Sequence, residues 1–173
     1  RHLSMTTQSY ILIFLASCEE EVSGKNGIES VLPQLPPIAL GVVGEPTEMQ
    51  PAIAEKGLMV LDVTARGKSG HAARNEGENA IYKLLPDIEW FRTYKFPKES
   101  PILGPVKMSV TQINAGTQHN VIPDLCSIVV DIRSNECYSN EELFAEICQH
   151  IQSEAKARSF RLNSSSIPSD HPF

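Results

Sequence analysis

The sequence predicts a mixed chain, an α/β segment followed by an α+β domain with the element order β-α-β-β-α-β. Three observations carry this. Two apolar runs, Tyr10–Ala16 and Ile38–Val43, show no alternation, as in strands covered on both faces. Leu125–Arg133 alternates cleanly, with Cys126, Ile128, Val130 and Ile132 on one face of a half-buried strand. From Ser139, a Ser-Asn-Glu-Glu capping box leads into Leu143, Ile147, Ile151 and Ala155 at helical spacing.

Between the two apolar runs, Gly27–Leu32 has a short helical pattern closed by Pro33, Pro36 and Pro37. The connection is about two dozen residues, long enough for the crossover that parallel strands require. Residues 9–44 therefore read as a βαβ unit, and such a unit needs further sheet to bury both faces of its strands. After Pro51 the pattern changes. Leu58–Arg66 and Val106–Asn114 read as half-buried strands, the second alternating Val106, Met108 and Val110 with Lys107, Ser109 and Thr111. Ile81, Leu84, Leu85, Ile88 and Phe91 mark a helix interrupted by Pro86. An interior proline costs roughly 3 kcal/mol, which predicts a kink or break there. Ser159–Ser164 reads as the last edge strand. The order is that of a ferredoxin-like split βαβ domain.

Composition narrows the function classes. The chain has 173 residues, 41% hydrophobic and 21% charged, as expected of a globular protein. Its net charge of −6 lacks the basic surface a nucleic-acid binder uses against phosphates. An RNA-recognition domain shares the strand order but needs aromatic residues for base stacking, and Leu125–Ile132 has none. No apolar run approaches the roughly 18 residues of a membrane span. Cys18, Cys126, Cys137 and Cys148 form no CxxC pair and read as reduced thiols of a cytoplasmic protein.

The acids stand out by position. Glu19-Glu20-Glu21 follows the first apolar run, and Glu45, in Gly44-Glu-Pro-Thr47, follows the second. In open α/β sheets, ligands bind beyond the carboxyl ends of the strands. Carboxylates gathered there repel unless a cation intervenes, and a pair of divalent metals about 3.5–4 Å apart can bridge such groups and activate water. The alternative is that these loop acids are simply solvated. His71 lies in Gly67-Lys-Ser-Gly-His-Ala-Ala73, where glycines suggest a turn that presents the imidazole; an ordinary surface histidine is the competing reading. His2, His119, His150 and His171 show no metal-ligand spacing. Asn120 precedes Val-Ile-Pro123, and Arg133 ends a strand beside Asp131, which on spacing alone makes it an ion-pair partner.

Taken together, Cys18-Glu-Glu-Glu-Val22, Val43-Gly-Glu-Pro-Thr47, Gly70-His-Ala-Ala-Arg74 with Gly77-Glu-Asn-Ala-Ile81, Asn120-Val-Ile-Pro123 and Asp131-Ile-Arg133 resemble one family. It is the acetylornithine deacetylase and succinyl-diaminopimelate desuccinylase group of zinc aminoacylases, and the resemblance is nearest to deacetylases acting on acetylornithine or succinylornithine. It implies that residues 1–49 are part of a metal-dependent catalytic domain, 50–165 a lid and dimerisation domain, and 166–173 a linker back. It further implies Glu20 as general base, Glu21 and Glu45 as metal ligands, and His71 as an oxyanion stabiliser reaching the partner subunit's site. Asn120 and Arg133 correspond to lid residues that hold substrate, Arg133 through a carboxylate. Two divalent ions, zinc or cobalt, and a homodimer are implied. So is removal of an acetyl or succinyl group from ornithine or a related amino acid in arginine biosynthesis.

The sequence departs from the family pattern at several points. Glu19 stands where the family has Asp, and there is no His-x-Asp motif. The expectation is a central piece of a longer enzyme, inactive alone. A dimerisation or substrate-clamping module without catalysis, or a desuccinylase of the diaminopimelate type, are the alternatives.

Overall fold

A computed structural model describes residues 11–19, 26–168 and 170. The chain divides into two units, Arg1–Pro46 and Thr47–Phe173. In the first, the described residues form α1 (Ile28–Val31) and a 3₁₀ turn, Leu32–Gln34, with no strand. The βαβ expectation over 9–44 is therefore not met among them. The two apolar runs stand open instead, Phe14 at 91% and Val43 at 80% exposure. A strand meant for burial on both faces needs neighbouring strands and covering helices, and no described residue pairs with these runs.

In the second unit the β-α-β-β-α-β order holds as β2 (Gly57–Arg66), α2 (Ala80–Thr93), β4 (Lys107–Ala115), β6 (Leu125–Ser134), α3 (Asn140–His150) and β7 (Glu154–Ala157). They form a four-stranded antiparallel sheet in the order β4-β6-β2-β7. Met59, Leu61 and Val63 of β2 and Cys126, Ile128, Val130 and Ile132 of β6 line one face, nearly inaccessible. Leu84 and Phe91 of α2 and Leu143 and Ile147 of α3 complete that core. Burial of each such side chain contributes about 1.5–3 kcal/mol. The other face mixes polar and charged residues with the half-buried Leu58, Val60 and Val129. Four two-residue strands, too short for a sequence pattern, complete the unit: β1 (Ala54–Glu55) pairs with β8 (Ser165–Ser166), and β3 (Gly70–His71) with β5 (Val121–Ile122).

Three local expectations are corrected. α2 runs unbroken through Pro86. Pro86 is exposed, and so is Tyr82, whose carbonyl loses its helical partner, so solvent can take over that bond. α3 ends at His150, so Ala155 lies on β7 and not on the helix. The cause is Asp87, a buried carboxylate on α2 that accepts the N–H groups of Gln152 and Ser153, both at 3.0 Å, and draws the chain out of the helix. The last edge strand is Glu154–Ala157, earlier than Ser159–Ser164; it pairs with Leu61–Thr64. Alanine is a weak strand former, which hid it.

Candidate functional site

The Gly-His segment is built by close backbone approach. Lys68 and Glu78 exchange both backbone hydrogen bonds, at 2.9 and 2.8 Å. A Cβ on Gly67 would lie 2.0 Å from the Glu78 carbonyl oxygen, and one on Gly70 would lie 2.6 Å from that of Glu76. Gly77 has φ +92°, open to glycine at little cost. On the other side β3 pairs with β5, and Ala72 N–H donates to the Asn120 carbonyl at 3.0 Å. His71 and Asn120, remote in sequence, thus become neighbours. His71 is exposed, and its Nδ1 accepts the Ala73 N–H at 3.2 Å. That bond holds the neutral ring in the tautomer with its proton on Nε2, a hydrogen-bond donor facing away from its own loop. Glu76 Oε1 accepts the His71 N–H at 3.4 Å. Lys83 of α2 clasps the corner, donating to Glu78 and to the Arg66 carbonyl. Glu76, Lys83 and the glycine contacts were not legible in the sequence, because they serve backbone positions and not a motif.

Arg133 is elsewhere. The ladder sets Leu58 opposite Arg133 and Arg66 opposite Leu125. The Gly-His segment follows Arg66, and Gly67 N–H bonds the Asp124 carbonyl. His71 with Asn120 and Arg133 therefore sit toward opposite ends of β6, which rises about 26 Å from Leu125 to Arg133 at the usual strand spacing. Arg133 donates from Nε and Nη2 to Asp131, at 2.8 and 3.1 Å, the pairing its spacing suggested. Its Nη1 end is not used in that pair.

Of the acidic residues, Glu20 and Glu21 lie outside the described residues. Glu45 is exposed, and no three His, Cys, Asp or Glu among the described residues come together as a metal group. The described residues do not by themselves make a metal centre. Glu19 has φ 59°, and its carboxylate accepts from Asn26 N–H at 3.2 Å and Nδ2 at 3.1 Å.

A profile of the family described as peptidase dimerisation domain matches residues 53–159, more than half of the chain. The chain belongs to that family. The matched stretch spans the four-stranded sheet, both of its helices and the Gly-His loop. Among relatives, the chain is 34% identical over 110 residues to a succinyl-diaminopimelate desuccinylase of Cereibacter sphaeroides, covering 59% of this chain and 29% of that protein. It is 30% identical over 131 residues to an acetylornithine deacetylase of Myxococcus xanthus, covering 70% of this chain and 34% of that protein. The chain thus spans less than half the length of these relatives. Solved structures share the fold: an aminopeptidase of Bacillus cereus has TM-score 0.53 at 18% identity, over 69% of this chain and 33% of that one. A tripeptidase of Staphylococcus aureus has TM-score 0.51 at 16% identity, over 69% of this chain and 33% of that one. No helix among the described residues is long and apolar enough to cross a membrane.

Proposed function

We propose that this chain is the lid-bearing part of a cytoplasmic, metal-dependent amidohydrolase that removes an acyl group from the nitrogen of an amino acid, working as a homodimer. The observation that carries it is the split placement of the predicted substrate contacts. His71 and Asn120 form one corner, and Arg133 stands about a strand-length away, too far for one small substrate to touch both within one lid. Two copies related by a dyad resolve this, each site drawing Arg133 from one lid and His71 from the other.

In this reading Arg133 holds a substrate carboxylate. Glu20 takes the proton of the attacking water. As the tetrahedral intermediate forms, the Nε2–H of His71 donates to its oxyanion. Collapse breaks the C–N bond, and Glu20 returns the proton to the leaving amine. Glu21 and Glu45, with further ligands of the whole enzyme, would hold two divalent ions, zinc or cobalt, and these would supply Lewis-acid polarisation of the acyl carbonyl. The acetylornithine deacetylase and succinyl-diaminopimelate desuccinylase among the relatives support an acylated diamino acid as substrate, from either the arginine or the lysine branch.

Assay of the whole enzyme with N-acetylornithine, N-succinylornithine and N-succinyl-diaminopimelate tests the reading. Glu20→Gln should abolish turnover with metal content near normal. No hydrolysis of any of the three by metal-loaded wild type refutes it, and loss of metal from Glu20→Gln moves the base to Glu21.

A further inference from the structure

Two arginines on the open face of the sheet are ion-paired. Arg158 is tied to Asp62 of β2, and Arg66 lies near Glu154. At the other end, antiparallel register puts Lys107 directly opposite Arg133, two cations side by side on one exposed face. Like charges directly opposite each other destabilise a ladder. Lys56 adds a third: its Nζ donates to the Pro105 carbonyl at 2.7 Å, two residues before Lys107. Among the described residues, neither Lys56 nor Lys107 has an ion-pair partner, and Asp131 balances Arg133 alone. The Lys56 ammonium is held below the usual lysine range, first by burial and then by the charge of Lys107. A chain of net charge −6 thus gathers unneutralised positive charge beside the residue proposed to hold a carboxylate.

We propose that Lys107, supported by Lys56, forms a second anion subsite next to Arg133, and that the substrate brings two carboxylates to this corner. The inference rests on the hydrolase reading above. Arg133 keeps the Nη1 end of its guanidinium for one carboxylate, and the Lys107 ammonium, a mobile point charge, takes the other. The second carboxylate comes either from a dicarboxylic acyl group or from the amino-acid side chain. A monoanionic acetyl amino acid with a basic side chain would leave Lys107 unanswered.

The test compares whole wild-type enzyme with Lys107→Met and Lys107→Arg on N-succinylornithine, N-acetylglutamate and N-acetylornithine. Lys107→Met should lower kcat/KM for one dicarboxylate about 10- to 100-fold, the usual range for one charge-assisted contact, and leave N-acetylornithine unchanged. Lys107→Arg should restore most of it. Loss on N-succinylornithine alone places the second carboxylate on the acyl group, and loss on N-acetylglutamate alone places it on the side chain. Equal effects on all three substrates, or on none, overturn the subsite and leave the hydrolase reading standing. Calorimetric titration of the same proteins with succinate and acetate is independent of turnover. Succinate should bind wild type at least about tenfold more tightly than Lys107→Met, with acetate indifferent. If the enzyme hydrolyses nothing, equal succinate binding still overturns the subsite, while the inactivity counts against the hydrolase reading.

Discussion

His71, proposed above as the oxyanion donor, shows how backbone geometry can orient a single side chain. The Ala73 N–H on Nδ1 fixes which ring nitrogen donates, and the packed glycines fix where the ring is presented. Such preorganisation matters most for charge that appears only in the transition state. His71→Ala in the whole enzyme should therefore cut kcat by around 10²–10³, the usual loss for one oxyanion donor, with a much smaller change in KM. Steady-state kinetics decides. A rise in KM at constant kcat would make His71 a ground-state contact.

Among the elements, two polar ties hold the lid together where apolar packing does not reach. Asp87 joins α2 to the turn between α3 and β7 through two backbone N–H groups. Asp87→Ala leaves both donors without that partner, so urea unfolding should show a loss of roughly 2–3 kcal/mol. A change within experimental error would mean that water replaces the carboxylate without cost. The second tie is Asp62 on β2 with Arg158 after β7, bonded at 2.9 and 2.7 Å. The hydrogen bond from Arg158 is the main cause that holds the Asp62 carboxyl below the usual aspartate range. A depressed folded pKa stabilises above the unfolded value of about 4, and the contribution is lost as pH falls through the folded value. Both side chains are about half exposed, so the tie is worth less than about 1 kcal/mol. Asp62→Asn should cost that small amount at pH 7 and flatten the acid limb below about pH 4. Equal losses at pH 7 and pH 3 would contradict the linkage.

At the scale of the whole molecule, the sheet has unequal edges. β7 has only four residues, whereas β4 exposes a nine-residue edge with Ile113 at 60% exposure. Long open edges invite pairing, and a second copy meeting β4 across a dyad would extend the sheet. Light scattering at tens of micromolar should report a dimer, and a charged substitution, Ile113→Lys, should weaken it. The dimer also permits complementation: mixed Glu20→Gln and His71→Ala subunits place both defects in one site of the heterodimer and leave the other intact. Activity should reappear on mixing. No recovery, with heterodimers demonstrated, would confine His71 to its own subunit.

What the sequence determined alone is whatever repeats with a period or closes over a few residues. The alternation of β2 and β6, the α2 stripe and the Ser139–Glu142 capping box, whose two reciprocal hydrogen bonds form, are local facts. The motif order likewise suffices for the family. The tertiary structure decided what depends on distant partners. It moved the last strand to Glu154–Ala157 through Asp87 and carried α2 through Pro86. It left Tyr10–Ala16 and Ile38–Val43 without a described ladder, since a doubly buried strand exists only where neighbours supply both faces. It also set His71 beside Asn120 and Lys107 beside Arg133, because strand register alone determines which residues far apart in the chain share a corner.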